Sequence, residues 1–99
     1  MEVNLDKVLV DLAGQPLEPR ITLGDVLLTA ATAGIPEDQG ASGEKKMKLY
    51  RLAQKISKDG TSHLTAEEVT MIKSRVNAVY PSPLLYGQVS DLIDPPETV

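Results

Sequence analysis

From residue 44 to residue 93 the apolar side chains recur every three or four positions, and each run is closed by residues that end helices. That spacing constrains the fold most, because it gathers apolar groups on one face of a helix but would scatter them over both faces of a strand. Residues 44–58 carry Leu49, Leu52, Ala53 and Ile56 on one face. Asp59-Gly60 supplies the stop, since glycine tolerates the left-handed backbone that helix ends require. Thr65-Ala66-Glu67-Glu68 has capping-box spacing: the Thr65 hydroxyl accepts from the Glu68 amide, and the Glu68 carboxylate reaches back. The helix it predicts lines up Val69, Ile72, Val76 and Val79. Pro81-Ser82-Pro83 ends that helix and starts another, with Ser82 as cap, Pro83 in the first turn, and Leu85, Val89, Leu92 and Ile93 inward before Pro95-Pro96.

An earlier helix is predicted over 22–33, where Thr22 and Asp25 have capping-box spacing and Leu23, Val26, Leu27 and Ala30 share a face. Residues 34–43 then hold three glycines, a proline and two acids, which predicts a mobile loop within one domain. The first twenty residues read two ways. Leu5, Val8, Leu9 and Leu12 fit a helix face with Asn4 as cap; Val8, Val10 and Leu12 alternate as in a strand, and Ala13-Gly14-Gln15-Pro16 could turn a hairpin toward Leu17. The valines and the turn residues favour the strand. The expected fold class is therefore mainly α: a compact bundle of about four short helices with an N-terminal strand and turn or hairpin. The alternative is an all-α domain with a fifth helix.

Ninety-nine residues suffice for one domain. Phe, Trp and Cys are absent, so the core must be built from interdigitating aliphatic side chains, with Tyr50, Tyr80 and Tyr86 as the three aromatics. So limited a core, and the wide apolar spread of Leu84, Leu85, Leu92 and Ile93, predict self-association, as a symmetric dimer or higher oligomer. The missing cysteines exclude disulfides and thiolate metal sites and fit an intracellular chain. No apolar run approaches the roughly 20 residues that span a bilayer, and Met1-Glu2-Val3-Asn4 lacks the basic region of a secretory signal. The expected location is cytoplasmic, with no membrane partner.

Chemistry finds little purchase. Aligning Gly60 with the glycine of a calcium loop puts Lys55 at the first ligand, Ser62 where an apolar residue belongs and Ala66 at the bidentate acid, so three positions fail. His63 is the single histidine, and one imidazole makes no zinc site. Neither a nucleophile elbow nor a phosphate-cradling glycine pattern is present. The expectation is a non-enzyme without metal or cofactor.

Charge is more informative. Six basic residues and no acids lie between Lys45 and Lys58, whereas the rest of the chain holds four basic residues and 14 acids. Lys48, Arg51, Lys55 and Lys58 project on a face separate from the apolar stripe. Such a stripe suits an acidic protein surface or a small phosphate-bearing ligand; the plainer reading is a solvated face lying against the molecule's own acids. Duplex DNA is disfavoured, since a net charge of −4 is repelled by its backbone. Tyr50 borders the stripe, and Tyr80 and Tyr86 flank Pro81-Ser82-Pro83. All three are candidates for a recognition surface or for closing the edge of an aromatic-poor core.

The segments Asp11-Leu12-Ala13-Gly14-Gln15-Pro16, Thr22-Leu23-Gly24-Asp25-Val26-Leu27, Lys48-Leu49-Tyr50-Arg51-Leu52-Ala53-Gln54-Lys55-Ile56, Leu64-Thr65-Ala66-Glu67-Glu68-Val69 and Tyr86-Gly87-Gln88-Val89 resemble those of small proteins of tailed phages and prophages. The resemblance brings no site residues with it. It implies either an accessory binding protein, acting stoichiometrically on a host factor as an anti-defence inhibitor or by sequestering an anionic nucleotide signal, or a virion- or tail-assembly accessory or chaperone. A capped domain with a segregated charge face suits the first role better.

Overall fold

The computed structural model describes residues 2–57 and 60–94, with residues 37 and 38 described by their backbone. Four helices form: α1 (Leu23–Thr32), α2 (Gly43–Ile56), α3 (Ala66–Val79) and α4 (Pro83–Ile93), together with strands β1 (Glu2–Asn4) and β2 (Thr61–His63). The mainly α class with an N-terminal strand is what forms; residues 4–13 make no fifth helix.

The helix starts follow the side-chain chemistry. Thr22 Oγ1 accepts from the Asp25 amide at 3.2 Å while Asp25 Oδ2 accepts from the Thr22 amide at 3.0 Å. Thr65 and Glu68 repeat the exchange at 3.1 and 2.8 Å. Ser82 caps α4, with Pro83 in the first turn. Ser42, which the sequence reading passed over, caps α2 by accepting from the Lys45 amide at 3.1 Å. The connection before it contains a 3-10 turn over Pro36–Gly40.

The N-terminal segment turns back toward Leu17 as expected, through isolated bridges rather than a continuous hairpin. Its strand lies earlier, at Glu2–Asn4, and pairs antiparallel with Thr61–His63, Val3 opposite Ser62. Gly60, at φ +94°, turns the chain into β2 rather than ending α2, whose cap is Ser57. Residues 8–22 fold back through two isolated bridges, Val8 with Thr22 and Val10 with Pro16. The turn between them is real: the Asp11 carboxylate accepts from the Ala13 and Gln15 amides at 2.9 and 3.0 Å, and Gly14 takes φ +84°. Gln88 of α4 substitutes for a neighbouring strand, exchanging two 2.9 Å hydrogen bonds with the Val10 backbone.

The core is aliphatic throughout. Leu9, Val26, Leu27, Ala30, Ile72, Val76 and Ile93 are fully buried, joined by Leu23, Leu52, Ile56, Leu64 and Val89. Helix α1 is its centre and packs against both α2 and α3. Of the α4 positions that suggested a second copy, Ile93 is buried in the chain's own core, and Leu85 and Leu92 pack partly buried against it. Among the described residues, no helix is long and apolar enough to cross a membrane.

Arg75 is the one buried charge among the described residues, at 4 % exposure on α3. Its Nε donates to the Ala30 carbonyl at 2.6 Å, and its Nη2 donates to the Ala33 carbonyl. Both acceptors belong to the end of α1, where carbonyls have no donor within the helix and the dipole leaves partial negative charge. Arg75 thus cross-links α3 to the end of α1.

Candidate functional site

Because α2 and α3 both lie on α1, the surface between them is left as a groove. Its larger part, about 680 Å³, is lined by Ser42, Glu44, Lys45 and Lys48 from the α2 side and by Ala66, Glu67, Thr70 and Met71 from α3. It continues into a hollow of about 370 Å³ that adds Met47, Arg51 and Glu68. The helical period explains the set: residues 44, 47, 48 and 51 fall on one face of α2, and 67, 70 and 71 on one face of α3.

The cationic stripe therefore borders this groove, opposite the acids that open α3. Lys48 Nζ lies 3.3 Å from Glu67 Oε1, with both side chains more than half exposed. Such a pair contributes roughly 0–1 kcal/mol. Lys55 Nζ donates to Glu68 Oε1 at 2.8 Å and is less exposed, at 35 % against 22 % for Glu68. Two of the four stripe residues thus lie against the molecule's own acids, as the plainer reading required. Arg51 does not: it donates to Gln54 Oε1 at 3.1 Å, and its guanidinium carbon sits 5.8 Å from the Tyr50 ring centre. Among the described residues Arg51 and Lys45 form no ion pair. Lys58 falls outside the described residues.

Glu68 carries two loads at once, capping α3 and holding Lys55. Partial burial pushes its carboxyl up, but the Lys55 ammonium and the Thr65 backbone amide and hydroxyl together hold it below its ordinary value of 4.5. A depressed carboxyl contributes stability that is fully present above its unfolded pKa and is lost as pH falls through the folded one. Glu68→Gln is therefore expected to lower Tm near neutral pH. The gap from wild type should close as pH falls below 4.5. Thermal melts of both proteins across that range check it; a gap that stays constant would show that the carboxylate's charge contributes nothing.

No tyrosine is among the residues that line the groove. Tyr50 is 53 % exposed and touches the stripe through Arg51, whose guanidinium lies over its ring, but it lines a separate cleft of about 380 Å³ with Lys46, Leu49, Arg75 and the end of α1. Tyr80 and Tyr86 pack partly buried against the core and line neither cavity. Of the seven sequence candidates, Lys48 and Arg51 meet in the groove, with Lys55 at its edge through Glu68. Lys45, Met47 and Met71 were missed. Met71 sits at the margin of α3's apolar stripe, where spacing alone does not tell lining from core. Met47 projects opposite α2's apolar stripe, among the cations, as a lone exposed apolar residue. Lys45 lay inside the basic run but off the projected stripe. His63 is exposed in β2 and is not among the groove's lining residues. Among the described residues, no three or more His, Cys, Asp or Glu side chains cluster so as to hold a metal ion. Compared with protein-family models, curated proteins and solved structures, the chain matches none.

Proposed function

We propose that this chain is a non-enzymatic accessory binding protein of the kind found in tailed phages, acting stoichiometrically on an anionic partner through the α2 side of the α2–α3 groove. The partner is a host protein with an acidic surface or a small phosphate-bearing ligand. One observation carries the reading: Lys45 and Arg51 flank a groove while making no ion pair among the described residues, although the chain carries an excess of acids. Cations left unpaired beside a cavity attract an anion without first having to break an internal pair. The phage context rests on the resemblance of the segments named above.

The test compares two baits. Reversing Lys55 would disturb the Glu68 cap, so the informative variant is Lys45→Glu/Arg51→Glu. Its fold is protected by design: Glu at 45 completes a capping box with Ser42, and Glu at 51 lies three and four residues from Lys48 and Lys55. Proteins and small molecules retained from infected cells by wild type and by the variant are quantified by mass spectrometry. The expected result is one partner retained by wild type and lost with the double variant. Equal retention would refute the reading, and a partner made of head or tail proteins would favour the assembly role instead.

A further inference from the structure

The groove's own lining narrows the partner class. A nucleotide site on this face would need a surface for the base to stack on. Tyr50, the exposed aromatic of α2, is not among the groove's lining residues and has its ring engaged by the Arg51 guanidinium at 5.8 Å. In the aromatic's place the groove offers Met47, 48 % exposed on α2, and Met71, half-buried on α3. Methionine is unbranched and polarisable, and it adapts to varied apolar side chains laid against it, as on promiscuous helix-binding surfaces. The two hollows share Glu44, Lys48, Glu67 and Met71, so they form one trough between the two helices rather than two compact pockets. An amphipathic helix fits a trough of this kind, its apolar residues at i, i+3 or i+4, and i+7.

Charge fixes the other half of that helix. Glu67 and Glu68 are neutralised across the groove by Lys48 and Lys55. Among the described residues Lys45 and Arg51 remain as unpaired cations beside Glu44, so acids on the occupant are attracted. Arg51 is the stronger of the two, since its fork can grip a carboxylate with two parallel hydrogen bonds. Resting on the anionic-partner reading above, we infer that the α2–α3 groove receives an acidic amphipathic helix of a partner protein, with its apolar residues on Met47 and Met71 and its carboxylates on Lys45 and Arg51.

The experiment selects from a displayed library of helix-forming peptides, with randomised faces, on the immobilised full-length chain. Enriched peptides should place apolar residues at helical spacing, with Asp or Glu beside them. Their affinity for Met47→Glu and for Arg51→Glu should fall by about tenfold or more, the loss typical of a central anchor. Both positions are exposed, and unchanged melting curves verify the fold of each variant. No enrichment, enrichment of basic peptides, or affinity indifferent to Met47→Glu would each overturn the inference. A nucleoside triphosphate is titrated in parallel while the Arg51 side-chain resonance is followed by NMR. If it shifts that resonance while the library yields nothing, the anionic reading survives and the helix reading fails; if neither probe binds, both fail. Sedimentation supplies the last arm: self-association abolished by Met47→Glu would make the occupant a second copy and overturn the foreign helix.

Discussion

Arg75→Met is expected to lower the unfolding free energy by about 2–6 kcal/mol, from one buried and one partly buried carbonyl each losing a donor at about 1–3 kcal/mol. The choice of methionine matters, because it keeps the apolar stem that packs through the interior and removes only the guanidinium. What is lost is the link from α3 to the Ala30 and Ala33 carbonyls, together with a positive charge facing the negative end of α1. Since α1 is the helix against which both α2 and α3 pack, loosening its end should weaken the whole domain rather than fray one terminus. Urea denaturation at neutral pH measures the change. Arg51→Met is the matched control, exposed and without an ion pair among the described residues, and should stay within about 0.5 kcal/mol of wild type. If the two variants lose equally little, solvent satisfies the end of α1 and Arg75 is incidental.

Leu9→Ala is the second large effect, with an expected cost of about 2–5 kcal/mol, or roughly 4–8 °C of Tm for each kcal/mol in a domain this size. Leu9 lies outside every regular element yet is completely buried. Its amide donates to the Ile21 carbonyl at 2.9 Å and its carbonyl accepts from Leu17 at 3.1 Å, so neither side of its backbone can shift to fill a cavity. Leu12, three residues on, is 95 % exposed, and Leu12→Ala should change stability by less than about 0.5 kcal/mol. A small loss at Leu9 would mean that the N-terminal segment is an appendage rather than part of the core.

That contrast shows where the sequence was informative and where it was not. Thr22, Thr65 and Ser82 declare their helices because a cap and its partner lie within one turn, so the interaction is written in neighbouring letters. The stripe Leu49, Leu52, Ala53 and Ile56 is buried as its spacing requires. Leu9 and Leu12 could not be told apart, because which one is buried depends on Gln88 drawing the Val10 backbone onto α4 across 78 residues. Strand Thr61–His63 left no trace, being three polar residues whose order comes from pairing with β1. Arg75 looked like any surface charge on a helix, since its acceptors are backbone carbonyls contributed by another element. At the candidate site, the face shared by Lys48 and Arg51 followed from helical period alone. Its opposite wall of Glu67, Glu68 and Met71 depends on α3 lying beside α2, a tertiary relation that spacing does not encode.

The most direct measurement of the central claim is a side-by-side titration of the recovered partner against wild type, Lys45→Glu/Arg51→Glu and His63→Ala, at one ionic strength. Wild type should saturate at one partner per site and leave the partner chemically unchanged, as stoichiometric binding requires. The double variant should bind about tenfold more weakly or worse, a loss of at least about 1.4 kcal/mol, while melting no lower than wild type. His63→Ala, altered in β2 at a residue that does not line the groove, should bind like wild type. A double variant that binds as tightly as wild type would contradict the account, and the basic run of α2 would then be a solvated surface facing the acids of α3.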